Sequence, residues 1–158
     1  MTTDSQAFTA RIALPDLEAT GRLGARIAAG LRKGDAVALQ GDLGAGKTTL
    51  ARAILKALAV EESVPSPTFT LVQTYETADF PVRHYDFYRI ESPREIDELG
   101  LDEALDEGAV LIEWPEHAGD RLPEDCLFIV LTTLDAAARR ADLSGPAPWA
   151  ERFAGYVP

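Results

Sequence analysis

One cysteine, two histidines and three lysines are the scarcest reactive residues in this chain, and each shortage closes off a class of function. A single thiol, Cys126, excludes an internal disulfide and any cysteine-cluster metal centre. Its place at the head of an apolar run marks it as a small core residue on a strand. His84 and His117, the only histidines, do not suggest a transition-metal site. Lysine occurs only at 33, 47 and 56, no basic block exists, and the net charge is −11. Nucleic acid is held mainly through lysine and arginine contacts to phosphate, so any role near tRNA or DNA is expected to run through a protein partner. Apolar runs such as Cys126–Leu131 are far too short to span a bilayer, and Met1–Ala10 lacks the basic start and apolar core of a signal peptide. The expected location is the cytoplasm, with no membrane contact.

What is present is ordinary for a globular protein: 158 residues, 46% hydrophobic and 26% charged. That length is expected to form a single domain over residues 1–158. Phe8–Leu14 alternates as a strand, and Asp16 is placed to cap a helix to about Ala29 with Leu17, Leu23, Ile27 and Leu31 near one face. Ala36–Gln40 is a short apolar strand, and Leu50, Ile54 and Leu58 mark a helix from Lys47. Thr68–Tyr75 and Val82–Tyr88 read as strands joined by a turn-rich segment. Ser92-Pro93-Arg94-Glu95 is a capping box that starts a helix, and the acidic stretch Asp97–Glu107 is expected to be a broken helix at the surface. Ala109–Ile112 is a buried strand ending at Glu113, and Arg140–Leu143 is placed to pair with a strand at Leu127–Thr132. A short helix closes the chain around Trp149–Phe153. The order predicts one α/β phosphate-loop domain whose mostly parallel or mixed central sheet is flanked by helices.

The strongest signal is Gly41-Asp42-Leu43-Gly44-Ala45-Gly46-Lys47-Thr48, which matches the phosphate-loop pattern in full between a strand and a helix. Glycines let the backbone turn so that N–H groups point at phosphate oxygens, and the following helix adds its positive end. Lys47 can reach the β- and γ-phosphates, the Thr48 hydroxyl can ligate Mg²⁺, and Thr49 continues the cradle.

Nucleotide hydrolysis also needs an acid at the end of a second buried strand, to hold Mg²⁺ or orient water. Glu113, ending Val110-Leu111-Ile112, has that form, and Asp86, alternating with His84 and Tyr88, is the other candidate. Which carboxylate orients the water stays open. His84 reads equally well as a satisfied, half-buried histidine. Ser66 and Thr68, in Ser66-Pro67-Thr68-Phe69, lie where a γ-phosphate-sensing loop would fall, but also where a proline turn would open a strand. No Asn/Thr-Lys-x-Asp motif follows, so ATP rather than GTP is the expected nucleotide. Thr20 and the first helix are the candidates for its adenine side.

The ordered set Gly41–Thr48, Ser66–Phe69, His84-x-Asp86-x-Tyr88-Arg89 and Glu113-Trp114-Pro115-Glu116 resembles the TsaE (YjeE) family. These are small bacterial ATPases required for threonylcarbamoyl modification of tRNA adenosine 37. The likeness runs from about Leu14 to Glu116. It implies that Thr48 and Glu113 bind Mg²⁺ with Asp86 close by, and that Trp114 packs at the active site. It further implies that TsaD and TsaB are the partners, tRNA being met only through them. In that scheme the ATP cycle resets or drives the complex, and the transfer is performed elsewhere.

Two rivals carry different expectations. A small-molecule kinase would need a lid with several arginines, for which Arg83, Arg89 and Arg94 are the only cluster. A nucleotide-sensing module would keep the phosphate loop yet tolerate loss of Glu113. Arg89 is also the one candidate for an internal arginine finger.

Overall fold

Residues 8–156 are described by the computed structural model. In it, alternation along each strand sends successive side chains to opposite faces of one seven-stranded sheet. The strands are β1 (Phe8–Leu14), β2 (Ala36–Gln40), β3 (Val72–Tyr75), β4 (Val82–Asp86), β5 (Ala109–Glu113), β6 (Cys126–Thr133) and β7 (Arg139–Gly145). Their spatial order is β1-β7-β6-β2-β5-β4-β3. The four central strands, β6, β2, β5 and β4, run parallel, whereas β3 and the β7–β1 pair close the two sides antiparallel. The mixed sheet is the one expected from the sequence.

Val37, Leu39, Leu111, Leu127, Ile129 and Leu131 face helices α1 (Leu17–Gly30) and α2 (Lys47–Ala57). Ala36, Ala38, Val110, Ile112 and Cys126 face the opposite layer. That layer is built from α3 (Leu101–Glu107) and two 3₁₀ turns, Pro93–Glu98 and Pro115–Arg121. A short α4 (Pro148–Arg152) places Trp149 in the first cluster. Full burial of each such Leu or Ile contributes about 1.5–3 kcal/mol, so both faces are held by apolar packing.

Asp16 caps α1 as expected, accepting the Ala19 N–H at 2.9 Å. The Ser92–Glu95 capping box forms, but it starts a 3₁₀ turn. The acidic stretch breaks at Gly100 before α3, as its sequence suggested. Three expectations are corrected. Leu17, the first residue of α1, is 75% exposed and lines an open cavity instead of the core. The strand expected at Thr68–Tyr75 begins only at Val72, since Leu71 takes φ 69° and its N–H turns back to the Pro67 carbonyl at 2.7 Å. The strand expected to Tyr88 ends at Asp86, whose side chain accepts the Tyr88 N–H at 2.8 Å.

Candidate functional site

Parallel strands gather their carboxyl ends on one edge, and crevices there are the usual ligand sites of α/β sheets. The register puts Leu39 of β2 beside Glu113, and Glu113 beside Asp86. Residues far apart in sequence thereby converge on the turn that follows Gln40. In that turn Gly41 has no room for a side chain, as a Cβ would lie 2.6 Å from the Leu131 carbonyl oxygen. Gly46 adopts φ 103°, a backbone that disfavours other residues, and forms the N-cap of α2.

Lys47, Thr48 and Thr49 open α2. Lys47 Nζ donates to the carbonyls of Gly41 at 2.6 Å and Asp42 at 2.9 Å, and lies 4.2 Å from the centre of the Trp114 ring. Burial pushes its pKa down, opposed in part by Glu113, Glu116, Asp86 and Asp42. The Thr48 hydroxyl shares its hydrogen between the Glu113 oxygens, at 2.8 and 2.9 Å. His84, fully buried rather than half-buried, donates from Nε2 to Glu113 Oε2 at 2.7 Å, while its Nδ1 has no hydrogen-bond partner among the described residues.

Asp86 organises the second half of the site. Its Oδ2 accepts the hydroxyls of Ser66 at 2.7 Å and Thr68 at 3.1 Å. The short polar side chains of this segment thus bind the carboxylate instead of extending β3. Beyond β5, Trp114 takes a left-handed conformation, φ 58°, rare for a bulky residue and costing of order 1–3 kcal/mol. The twist swings its ring over Lys47 and against Tyr88, at 4.9 Å between centroids, and His117, at 5.6 Å. Trp114 therefore packs against the lysine of the glycine-rich turn.

Two cavities meet at the loop. One, of about 320 Å³, is lined by Leu43, Gly44, Gly46, Lys47, Thr48, Thr49, Ser66, Thr68, Asp86, Glu113 and Trp114. It brings together nearly all the residues singled out from sequence; Ala45 lines the neighbouring cavity instead, and Gly41 and Asp42 meet the Lys47 ammonium through their carbonyls. The other, of about 580 Å³, lies between Leu14, Leu17 and Thr20 on one side and Leu131, Ala136, Ala137 and Arg139 on the other. Thr20, the candidate for the adenine side, lines this cavity, as do residues of the β6–β7 hairpin, which the sequence did not single out. An arginine on a strand reads as surface, and its partners here are carbonyls, which carry no sequence signature.

The charged side chains buried at the site are one ammonium, Lys47, and two carboxylates, Asp86 and Glu113. Among the described residues no group of three or more His, Cys, Asp and Glu side chains could hold a metal. A hydroxyl with one or two carboxylates is instead the partial donor set typical of Mg²⁺, which keeps waters and substrate phosphates as its remaining ligands. Arg83 is committed to Glu107 at 3.1 Å and the Gly100 carbonyl, and Arg89 lies over the exposed Phe69 ring at 4.4 Å. Two of the three arginines that a kinase lid would use are thus engaged elsewhere. Among the described residues no helix is long and apolar enough to cross a membrane.

The sequence profile described as "Threonylcarbamoyl adenosine biosynthesis protein TsaE" matches residues 14–141. The tRNA threonylcarbamoyladenosine biosynthesis protein TsaE of Rickettsia felis is 45% identical over 123 residues, covering 77% of this chain and 72% of that protein. Its counterpart in Rickettsia bellii is 41% identical over 140 residues, with 88% and 97% covered. The crystal structure of YdiB from Bacillus subtilis superposes with a TM-score of 0.77 at 29% identity, covering 91% of this chain and 90% of the other. Motif order, strand register and these likenesses converge, and the chain belongs to the TsaE family.

Proposed function

We propose that this protein is a Mg²⁺-dependent ATPase required for threonylcarbamoyl modification of tRNA adenosine 37. It acts on a TsaD–TsaB complex and leaves the transfer itself to that complex. The place in tRNA modification rests on the family, whose relatives carry that process in their names. The observation that carries the chemistry is the Thr48–Glu113 contact at the mouth of the phosphate loop. Adjacent ligands of an octahedral Mg²⁺, with metal–oxygen distances of about 2.0–2.1 Å, lie about 2.9 Å apart. Thr48 Oγ1 lies 2.8 and 2.9 Å from the Glu113 oxygens, a spacing compatible with the two residues sharing the ion once the hydroxyl hydrogen turns away from the carboxylate.

Thr48 and Glu113 would hold the ion, with Asp86 beside them. Bound there, Mg²⁺ would neutralise the two carboxylates that Lys47 alone cannot balance and offset charge on the β- and γ-phosphates. Loop N–H groups receive the phosphates, and Lys47 exchanges its carbonyl partners for phosphate oxygens. Asp86, anchored by Ser66 and Thr68, is the carboxylate placed to orient a water towards the γ-phosphorus. His84 fixes the orientation of Glu113. Arg89 rests on Phe69 rather than in the phosphate cavity, so slow turnover by the isolated chain is expected, with a partner completing the site.

The deciding experiment is phosphate release from ATP by the purified chain, alone and with TsaD, TsaB and tRNA. Slow Mg²⁺-dependent hydrolysis that accelerates with the complex supports the proposal. Transfer of the phosphoryl group to a small acceptor, or no turnover under either condition, overturns it.

A further inference from the structure

Arg139, the first residue of β7, directs its whole guanidinium at main-chain oxygens. Nε donates to the Ala45 carbonyl at 3.2 Å and Nη2 to the Gly44 carbonyl at 3.2 Å. Nη1 donates to the carbonyls of Asp135 at 2.9 Å and Ala138 at 3.0 Å. One side chain therefore ties two consecutive carbonyls of the phosphate loop to the tip of the β6–β7 hairpin. The tip is itself fixed, because the Asp135 carboxylate accepts the N–H groups of Ala137 at 2.9 Å and Ala138 at 2.8 Å.

The consequence lies in peptide geometry. In a trans peptide the carbonyl and the next N–H point in opposite directions. Holding the Ala45 oxygen towards Arg139 thus turns the Gly46 N–H away from it. The compartment with Lys47, Thr48 and Glu113 is lined by Gly46 but not by Arg139. Charged donors on carbonyls make stronger hydrogen bonds than neutral ones, which suits a brace on a glycine-rich turn. A lysine would not replace it, since an ammonium lacks the planar fork that reaches loop and hairpin together.

We infer that Arg139 is a positioning residue for the phosphate loop. From the hairpin it holds the Gly44 and Ala45 carbonyls, so that the Ala45 N–H closes the turn on the Asp42 carbonyl at 3.0 Å and the Gly46 N–H is left for the polyphosphate of the nucleotide. This rests on the nucleotide-binding reading above and extends it to a strand that no phosphate-loop motif contains.

The test is calorimetric titration of the full chain with Mg²⁺-ATP and, separately, with Mg²⁺ and inorganic tripolyphosphate, which has no base or ribose. Arg139→Ala is expected to weaken both ligands by the same factor, about tenfold or more for two lost charge-assisted hydrogen bonds. Arg139→Lys should recover only part of this. Asp135→Ala, which loosens the hairpin tip without touching the loop, should weaken both by about two- to threefold and keeps the test available should Arg139→Ala not fold. A merely structural role would lower the melting temperature while leaving both affinities intact, and that result overturns the inference. Loss confined to ATP also overturns it, by assigning Arg139 to the nucleoside. If the unmodified chain binds neither ligand, it is the nucleotide reading that fails, and the inference goes with it.

Discussion

The four parallel strands have two ends, and the ends are built from opposite chemistry. At the carboxyl ends lie Lys47, His84, Asp86 and Glu113, every buried charged or imidazole side chain of the described residues. At the amino ends the corresponding positions are Val82, Ala36, Ala109 and Cys126, all buried and uncharged. Packing there is so close that a Cβ on Gly108 would meet the Pro81 carbonyl oxygen at 1.9 Å. Burying an ionised group costs several kcal/mol unless partners compensate, and apolar burial has no such penalty. The sheet therefore concentrates its unfavourable electrostatics at one edge and supports them with packing at the other. Stability resides at one end and chemistry at the other.

The largest expected effect comes from emptying the polar end of its cation. Lys47→Ala should lower nucleotide affinity by about a hundredfold or more and abolish hydrolysis. Calorimetry with Mg²⁺-ATP checks this, and near-normal turnover by the variant would sink the site assignment. Next is Glu113→Gln, which keeps the shape and removes the charge. Hydrolysis should fall by about a hundredfold, while ADP measured without Mg²⁺ binds as before. Equal loss of metal-free ADP affinity would mean that Glu113 only shapes the loop.

His84→Leu preserves bulk and deletes the donor to Glu113. A residue orienting a metal ligand is worth about 10–100-fold, so a loss of about tenfold in turnover, with a higher Mg²⁺ requirement, is expected. An unchanged Mg²⁺ titration would reduce His84 to packing. The effect that leaves turnover alone belongs to the apolar end and bears only on stability above pH 9. Burial holds the Cys126 thiol up to about 12, against 9.0 in the unfolded chain. Between those values the native state binds more protons than the unfolded one, so stability falls as pH rises through the window. The slope approaches about 1.4 kcal/mol per pH unit. Cys126→Ala should flatten that decline in denaturant titrations and leave ATP hydrolysis untouched; a changed hydrolysis rate would break the division between the ends.

How much of this was legible in the sequence depends on whether a feature is contiguous. The turn from Gly41 to Thr48 could be read outright, because its glycines, lysine and threonine sit side by side. Glu113 was legible as the acid that ends an apolar run. The meeting of Glu113 with Asp86 and with Thr48 was not, because strand register is a property of the folded sheet. Alternation misled at Thr68–Leu71, where hydroxyls serve Asp86 and the backbone turns at Leu71. Helical spacing misled at Leu17, since periodicity does not say whether the first turn of a helix is covered. The β6–β7 hairpin contributes Arg139, whose partners are backbone carbonyls, and small apolar side chains, none of which carries a signature in the sequence.

The strand order has a further consequence, for the nascent chain. β7 lies between β1 and β6, so β1 has no partner in the sheet until residues 139–145 have been synthesised. The phosphate loop and both carboxylates leave the ribosome before then, whereas Arg139 and the hairpin wall follow them. Pairing of segments so distant in sequence is intrinsically slow and comes late in folding. Until then the first strand presents an unpaired edge, the kind of surface that chaperones shield. A chain halted short of Gly145 carries the whole sequence motif yet only part of the site it advertises.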